Sequence, residues 1–102
     1  MDDEDALIGT LLEDACLRLE DLAAACAVPP EWVIRRVQWG LLSAPGEAPA
    51  HWRFTSRDLC RARRMHALER DFEAVPELAA LMADLLDDLE TLRARLRRAE
   101  RG

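Results

Sequence analysis

The stretch that decides the fold is LEDLAAACAVPPEWVIRRVQWGLL, from Leu19 to Leu42. Its first third is rich in leucine and alanine, which favour helix, so we expect a short helix over Glu20–Ala27. A second helix is expected over Glu31–Trp39, because the Pro29–Pro30 pair stops the first helix and proline is tolerated in the first turn of the next. Gly40 can then close the second helix in the left-handed conformation. The stretch therefore predicts two short helices joined by a tight turn.

The residues that follow predict a small β wing and a third helix. SAPGEAPA, residues 43–50, is a loop by its proline, glycine and alanine content. Ala50–Phe54 has alternating large residues and is expected to be a strand, and Cys16–Leu19 could form another short strand. TSRD, residues 55–58, has the spacing of a capping box and predicts the start of the third helix. That helix should break at Val75–Pro76, because a residue before proline avoids the α conformation.

The last helix, expected from Pro76 to about Arg101, carries an apolar seam. Its members recur in alternating steps of four and three, the heptad pattern of helices that pair with another helix. They are Leu78, Met82, Leu85, Leu89, Leu92, Leu96 and Ala99. Leu81 and Leu86 widen the stripe, so we expect this helix to pack on its own domain and on a second chain at once. The alternative is that one face packs on its own domain alone.

Composition and charge restrict the classes of function. The chain has 102 residues and a net charge of −6, and a net acidic chain does not favour general binding to phosphate backbones. No apolar run approaches the ~20 residues that a membrane span needs. The acidic start, MDDEDAL, is unlike a signal peptide, so a cytoplasmic location is expected.

No catalytic residue, metal site or cofactor is predicted. The chain has no nucleophile with a nearby base and no phosphate-cradling glycine loop, so we do not expect an enzyme. The soft metal ligands form no CxxC and follow no zinc spacing, so burial is their expected role. These ligands are Cys16, Cys26, Cys60, His51 and His66.

The order helix, turn, helix, Gly-Leu-Leu, loop, Trp-x-Phe and helix resembles the winged helix-turn-helix of MerR-like regulators. Leu22–Ala23, Gly40–Leu42 and Trp52–Phe54 match that pattern. The recognition helix departs from it, since Ile34 stands at an arginine position and Arg35–Arg36 replace two aromatic residues. The loop SAPGEAPA has no base, whereas DNA-binding wings offer arginine to the phosphate backbone, which supplies much of the affinity in DNA binding. DNA binding is therefore not the expected function.

Four further features come in order along about residues 17–100: the Trp-x-Phe strand, the arginine-rich run 61–64, the LERDF step at 68–72, and an Asp-Asp pair at 87–88 in the leucine-rich last helix. This set resembles chaperone modulators of the CbpM type. The resemblance implies a MerR-like domain that no longer binds DNA. It also implies a protein that binds the J-domain of a DnaJ-like co-chaperone and blocks its work with the DnaK-type chaperone. A J-domain presents a basic helix to its chaperone partner, so an inhibitor should offer acids.

The sequence thus predicts a mainly α fold, a MerR-like winged helix-turn-helix with a short β wing and a long C-terminal helix. Three segments are expected: an acidic arm at 1–15, the winged helix-turn-helix at 16–75, and a heptad helix at 76–102 that forms a homodimer. The expected function is that of a chaperone modulator that binds a J-domain and inhibits stimulation of the DnaK-type chaperone. The alternatives are a MerR-like transcription regulator, using Arg35, Arg36 and the arginines of the third helix, and a plain dimerisation module.

Charge and one aromatic residue select the candidate partner-binding residues. Acids of the arm and of the long helix would face the basic J-domain helix, and Trp32 is a candidate anchor because tryptophan is enriched at interface hot spots. The set is Glu13, Asp14, Trp32, Asp84, Asp87 and Asp88. Trp39 and Trp52 are expected in the core instead.

Three arginines of the third helix form a row, because they are spaced by four and three residues. They are Arg57, Arg61 and Arg64. We expect this row to be a solvated face or to pair with the acidic arm of the same or another chain. Phosphate binding is the alternative.

Overall fold

The computed structural model describes residues 17–101, most of which are helical. The helices are α1 (Leu19–Cys26), α2 (Pro30–Gln38), α3 (Ser56–Phe72) and α4 (Pro76–Arg101), and a short 3-10 turn occupies Pro49–His51. The mainly α fold is therefore confirmed, with the first two helices within one residue of their predicted bounds. The expected acidic arm at 1–15 lies outside the described residues. None of the described helices is long and apolar enough to cross a membrane.

The prediction of a β wing is wrong for the described part of the chain. In place of two strands there is one isolated antiparallel bridge between Leu17 and Phe54. Leu17 N donates to Phe54 O at 3.0 Å, and Phe54 N donates to Leu17 O at 2.7 Å. The pairing ends there because α1 begins at Leu19 and α3 begins at Ser56, each two residues beyond the bridge. The 3-10 turn at Pro49–His51 takes up the first two residues of the expected wing strand.

Local signals set the helix boundaries as the sequence predicts. Asp58 N donates to Thr55 Oγ1 at 3.1 Å and Thr55 N donates to Asp58 Oδ2 at 2.8 Å, which completes the capping box of α3. Gly40 follows the end of α2 with φ +76°, in the left-handed region where glycine carries no steric penalty. Glu73 adopts φ 52° after α3, so the chain turns before Val75–Pro76 and starts α4 in a new direction.

The core lies where α1, α3 and the start of α4 meet. Its largest fully buried side chains are Phe54, Leu22, Met65 and Val33. Trp52 is 6% exposed, so its predicted place in the core is confirmed. Trp39 is 51% exposed, and the prediction that it belongs to the core is wrong. Trp39 comes directly after the last residue of α2, where the chain turns at Gly40, so its ring lies at the surface.

Helix α4 has two different apolar faces. Its inner face is made of small residues, and Ala79, Ala80 and Ala83 are buried against the domain. The leucines lie elsewhere: Leu81 is 53% and Leu86 is 38% exposed, so the helix packs on its own domain through its alanines and not through the leucine stripe. The short alanine side chains already fill the contact with the core, and the leucines are left on the solvent side. These exposed residues are Leu78, Leu81, Leu85, Leu86, Leu89, Leu92 and Leu96.

Phe54 tests whether the bridge region anchors the core. Phe54→Ala should lower the free energy of unfolding by about 3–5 kcal/mol, because it removes a fully buried aromatic ring. Phe72→Ala is the matched control, since that ring is 68% exposed and its loss should change little. Urea denaturation followed by circular dichroism measures both, and equal losses in the two variants would contradict this description of the core.

Candidate partner-binding surfaces

Arg36 of α2 is charged but buried, with 6% of its surface exposed. Its Nη2 lies 2.5 Å from Glu69 Oε1 and its Nε donates to Glu69 Oε2 at 3.3 Å, so the guanidinium and the carboxylate of α3 meet at two points. Its Nη1 donates to the carbonyl oxygen of Trp32 at 3.2 Å. A buried charge is tolerated when it is paired and hydrogen-bonded, as this one is. Arg36 therefore fastens α2 to α3.

Two tryptophan rings complete this contact, which we call the Arg36 lock (Trp32, Arg36, Trp39 and Glu69). The guanidinium carbon of Arg36 is 4.0 Å from the Trp32 ring centroid and 5.5 Å from that of Trp39. Such cation–π contacts hold both rings on the surface of α2. Trp32 also meets His66 of α3 edge-on, with 5.7 Å between ring centroids. The candidate anchor Trp32 is thus half-buried and already in contact with its own chain.

The arginine row of α3 contacts the long helix. Arg61 forms an ion pair with Asp84, and its Nε donates to the carbonyl oxygen of Leu41 at 2.9 Å. Arg64 Nη2 is 2.6 Å from Glu90 Oε1. Two of the three arginines therefore pair with acids of α4, a pairing that the sequence did not suggest.

The acids predicted to bind a partner differ in their exposure and in their ion pairs. Glu13 and Asp14 lie outside the described residues, and Asp84 is held by Arg61. Asp87 and Asp88 are exposed, and no ion pair within residues 17–101 engages either of them. The spacing places Asp84, Asp87 and Asp88 near one another on α4, because residues three and four apart share a helix face. No described contact joins Trp32 to these three aspartates.

A groove of about 570 Å³ separates the first half of α3 from the middle of α4. The arginine row lines its α3 side, together with Ser56, Asp58 and Cys60. The α4 side consists of Ala83, Asp87, Glu90 and Thr91. Both walls of this groove carry charged side chains, and Ala83 on its α4 side is also a buried member of the core.

Comparison with known proteins agrees with this arrangement. A family model described as MerR HTH family regulatory protein matches residues 17–101. The chaperone modulatory protein CbpM of Coxiella burnetii (strain Dugway 5J108-111) is 34% identical over 85 residues, which cover 83% of this chain and 80% of that protein. The chain belongs to the CbpM family of chaperone modulatory proteins. A second CbpM, from Pseudomonas entomophila (strain L48), is 30% identical over 78 residues, covering 76% of this chain and 77% of that protein. No solved structure shows a significant match.

In this CbpM-family chain the second helix of the helix-turn-helix, α2, contains two arginines, Arg35 and Arg36. One of its two arginines is buried in the Arg36 lock, and only Arg35 remains exposed. The following loop, residues 43–50, contains Glu47 and no base. Glu69, the partner of Arg36, was missed by sequence reasoning, because it lies 33 residues further along the chain. Helix α3 contains three acids, Asp58, Glu69 and Asp71, and their positions alone do not single out Glu69.

The cysteines and histidines form no metal site in residues 17–101 that brings three or more potential ligands together. Cys26 is buried, as expected, and burial raises the pKa of its thiol, although the Arg63 guanidinium opposes this shift. Cys60 and His51 are exposed, so the prediction of burial is wrong for them. Cys60 lies on the side of α3 that faces the groove, where long arginine side chains replace core packing. Cys16 lies outside the described residues.

The Arg36 lock predicts a strong dependence of stability on Glu69. Glu69→Ala should cost about 3–5 kcal/mol, because it leaves the buried guanidinium without its counter-charge. Arg36→Met combined with Glu69→Leu should recover much of this loss, since neither charge then remains in the interior. Denaturant titrations of the single and double variants measure the difference, and a double variant no better than Glu69→Ala would show that the lock is not a coupled pair.

Proposed function

We propose that this CbpM-family protein binds the J-domain of a DnaJ-like co-chaperone and inhibits its stimulation of the DnaK-type chaperone. The observation that carries the proposal is the Arg36 lock. The lock buries one arginine of the recognition helix in the interior of the domain, so the helix-turn-helix serves as a rigid scaffold. The proposed role is binding in the cytoplasm, and it requires no catalytic residue or cofactor.

The surface that would meet the partner is the acidic part of α4. Asp87 and Asp88 are exposed on a helix that the domain holds in place through its alanine face. Opposite charge on a J-domain helix would steer the encounter and fix the orientation of the two proteins. Asp84 would contribute less, because Arg61 already shares its carboxylate. The full proposed set remains Glu13, Asp14, Trp32, Asp84, Asp87 and Asp88, with Trp32 as an anchor through the part of its ring that stays exposed.

A transcription regulator is less well supported. Phosphate contacts dominate the affinity of DNA-binding proteins, and they come from arginine and lysine at several places on the surface. Here Arg36 is buried, and Arg61 and Arg64 are paired with acids of α4. The loop that would form the wing carries an acid in place of a base.

We propose further that α4 forms a homodimer through its leucine face. The heptad members Leu85, Leu89, Leu92 and Leu96 are between 42% and 60% exposed, although monomeric proteins rarely leave a continuous apolar stripe in water. Acids precede arginines along the helix, and this order favours an antiparallel pair. In that arrangement Leu89 would pack on Leu92 of the partner subunit, and the heptad spacing repeats the same contact on either side.

The proposed partner is tested by titrating the purified protein with the J-domain of a DnaJ-like protein and with random duplex DNA, each at two salt concentrations. We expect binding to the J-domain that weakens with salt, because screening reduces charge steering, and no binding to DNA. Asp87→Lys with Asp88→Lys, and separately Glu13→Lys with Asp14→Lys, should each weaken J-domain binding by about tenfold and flatten its salt dependence.

The control for charge reversal is Glu77→Lys with Glu100→Lys, which changes the net charge equally at the two ends of α4. It should leave J-domain affinity close to that of the unmodified protein. If both test variants bind as the unmodified protein does, the electrostatic account is wrong. Steep salt-dependent DNA binding without J-domain binding would overturn the proposed function in favour of a regulator.

The dimer is tested with one acid placed on either side of α4. Leu89→Glu puts a charge in the centre of the leucine face and should convert the protein to a monomer at concentrations where the unmodified protein is dimeric. Thr91→Glu, two residues away on the groove side, adds the same charge and should leave the dimer intact. Light scattering coupled to size exclusion gives the mass of each, and a monomeric unmodified protein would refute the dimer.

A further inference from the structure

Two charged side chains of α4, Asp88 and Arg95, border the leucine face on the same side. They are seven residues apart, close to two helical turns, so both lie on one flank of the stripe that contains Leu89 and Leu92. In the heptad pattern, where Leu89 is an a residue, both occupy the g position, which lies at the edge of a helix–helix contact. Both are exposed, and no ion pair within residues 17–101 engages either of them.

Helix α4 itself offers neither of these charges a partner. On an α-helix, side chains three and four residues apart are the ones that pair. None of the residues at those distances from Asp88 or Arg95 has the opposite charge; they are Asp84, Leu85, Thr91, Leu92, Arg98 and Ala99. Any counter-charge on this flank would therefore come from another molecule that packs against the leucine face.

The proposed antiparallel dimer brings the two charges together. When Leu89 packs on Leu92 of the partner subunit, Asp88 is level with the partner's Arg93. The partner's Arg95 then lies two residues, about 3 Å, further along the helix axis. In an antiparallel pair the g flank of one helix meets the g flank of the other, so Asp88 faces Arg95 of the partner subunit. The two-fold symmetry of a homodimer repeats this contact.

The charge of the whole helix favours this direction over a parallel pair. Residues 93–101 contain five arginines and one acid, a net charge of +4. A parallel pair would hold two such runs side by side with about 8–10 Å between the helix axes, which is about one Debye length at physiological salt. The antiparallel pair places each run beside the acids of residues 84–90 of the other copy instead.

We propose that Asp88 and Arg95 form two symmetric ion pairs across the α4 homodimer, and that these pairs set its antiparallel register. The inference rests on the proposed dimer and names the residues that select its direction, a role that charges at g positions have in paired helices. In the dimer Asp88 is occupied by a second copy. Asp87 is then the member of the Asp-Asp pair that remains available to a basic co-chaperone helix.

Charge exchange tests these ion pairs, with the dissociation constant of the dimer measured by sedimentation equilibrium on the full chain. Asp88→Arg should raise this constant about tenfold, because contacts between two arginines replace both ion pairs. Arg95→Asp should raise it by a similar factor, because two carboxylates then meet. The double variant should return to within about twofold of the unmodified protein, since each ion pair re-forms with its charges exchanged.

A mixture of the two single variants gives an independent measurement. At a concentration where each variant alone is monomeric, an equimolar mixture should form heterodimers, because every facing g pair is then of opposite charge in the antiparallel register. In a parallel pair Asp88 would face the partner's Arg93, and Arg95 would face the partner's Glu100. The double variant and the mixture would both keep repulsive contacts there, so failure of both to dimerise would overturn the proposal.

The matched controls make the same charge changes away from the leucine face. Glu47→Arg lies in the exposed loop, and Arg98→Asp lies on the side of α4 that points away from the leucines. Neither should change the dissociation constant, and circular dichroism verifies that every variant keeps its helices. Controls that weaken the dimer as much as the test variants would overturn the ion pairs, since net charge alone would then explain the effect.

The mass of the unmodified protein separates the two levels of the proposal. A monomeric unmodified protein would overturn the dimer, and the ion pairs with it. A dimer that neither Asp88→Arg nor Arg95→Asp weakens would overturn the ion pairs and leave the dimer standing. J-domain binding enters none of these measurements, so the proposed co-chaperone partner is tested separately.

Discussion

The ion pair between Arg36 and Glu69 is the contact that holds the second helix of the helix-turn-helix, α2, against α3. Helix α2 has nine residues, and Val33 is its one fully buried apolar side chain, while Trp32, Ile34 and Val37 are half-buried against the core. A helix this short gains little from its own hydrogen bonds, so its orientation depends on contacts with the rest of the domain. The bidentate contact with Glu69, reinforced by the ring of Trp32, supplies a directional attachment that apolar packing alone would not. The same contact removes the charge of Arg36 from solvent.

The second constraint is that α4 has two apolar faces, one of alanines and one of leucines. At 3.6 residues per turn, the mean direction of Ala79 and Ala83 differs by about 120° from that of Leu85 and Leu89 around the helix axis. The alanines allow close approach to α3, and the distal half of the 26-residue helix then extends beyond the 17 residues of α3. Asp87 shares the alanine side, where it lines the groove, and Asp88 lies on the flank between the two apolar faces. Its position explains how one helix can pack on its domain and still present acids and leucines to other molecules.

Sequence reasoning succeeded where the physical signal is local. The capping box at Thr55, the glycine at the end of α2 and the proline at the start of α4 each act within a few residues, and each placed a helix boundary correctly. The prediction of a β wing failed because the alternation of large residues at Ala50–Phe54 indicates only the direction of the side chains. It does not indicate how long a partner strand is. One antiparallel bridge already satisfies that pattern.

The candidate surfaces were harder to predict because they depend on pairs that are far apart in the sequence. Arg36 meets Glu69 across 33 positions, and Arg64 meets Glu90 across 26. Nothing in the sequence indicated that the arginine row and the acids of α4 form the two walls of one groove. Trp39 was predicted to lie in the core, because a tryptophan beside a helix usually packs there. Its ring lies instead at the surface, against the Arg36 guanidinium.

The arginines of the domain and any cationic partner compete for the carboxylates of α4. Arg61 and Arg64 draw Asp84 and Glu90 toward the domain, whereas Asp87 and Asp88 have no such partner within residues 17–101. Exposed ion pairs are individually weak, so a cationic partner can exchange with the arginines at small cost. Asp88 also borders the leucine face, and an arginine of a second copy could reach it there. The same acid could then bind either a second copy or a basic partner, so dimer formation and partner binding would be linked through the charge on this flank of α4.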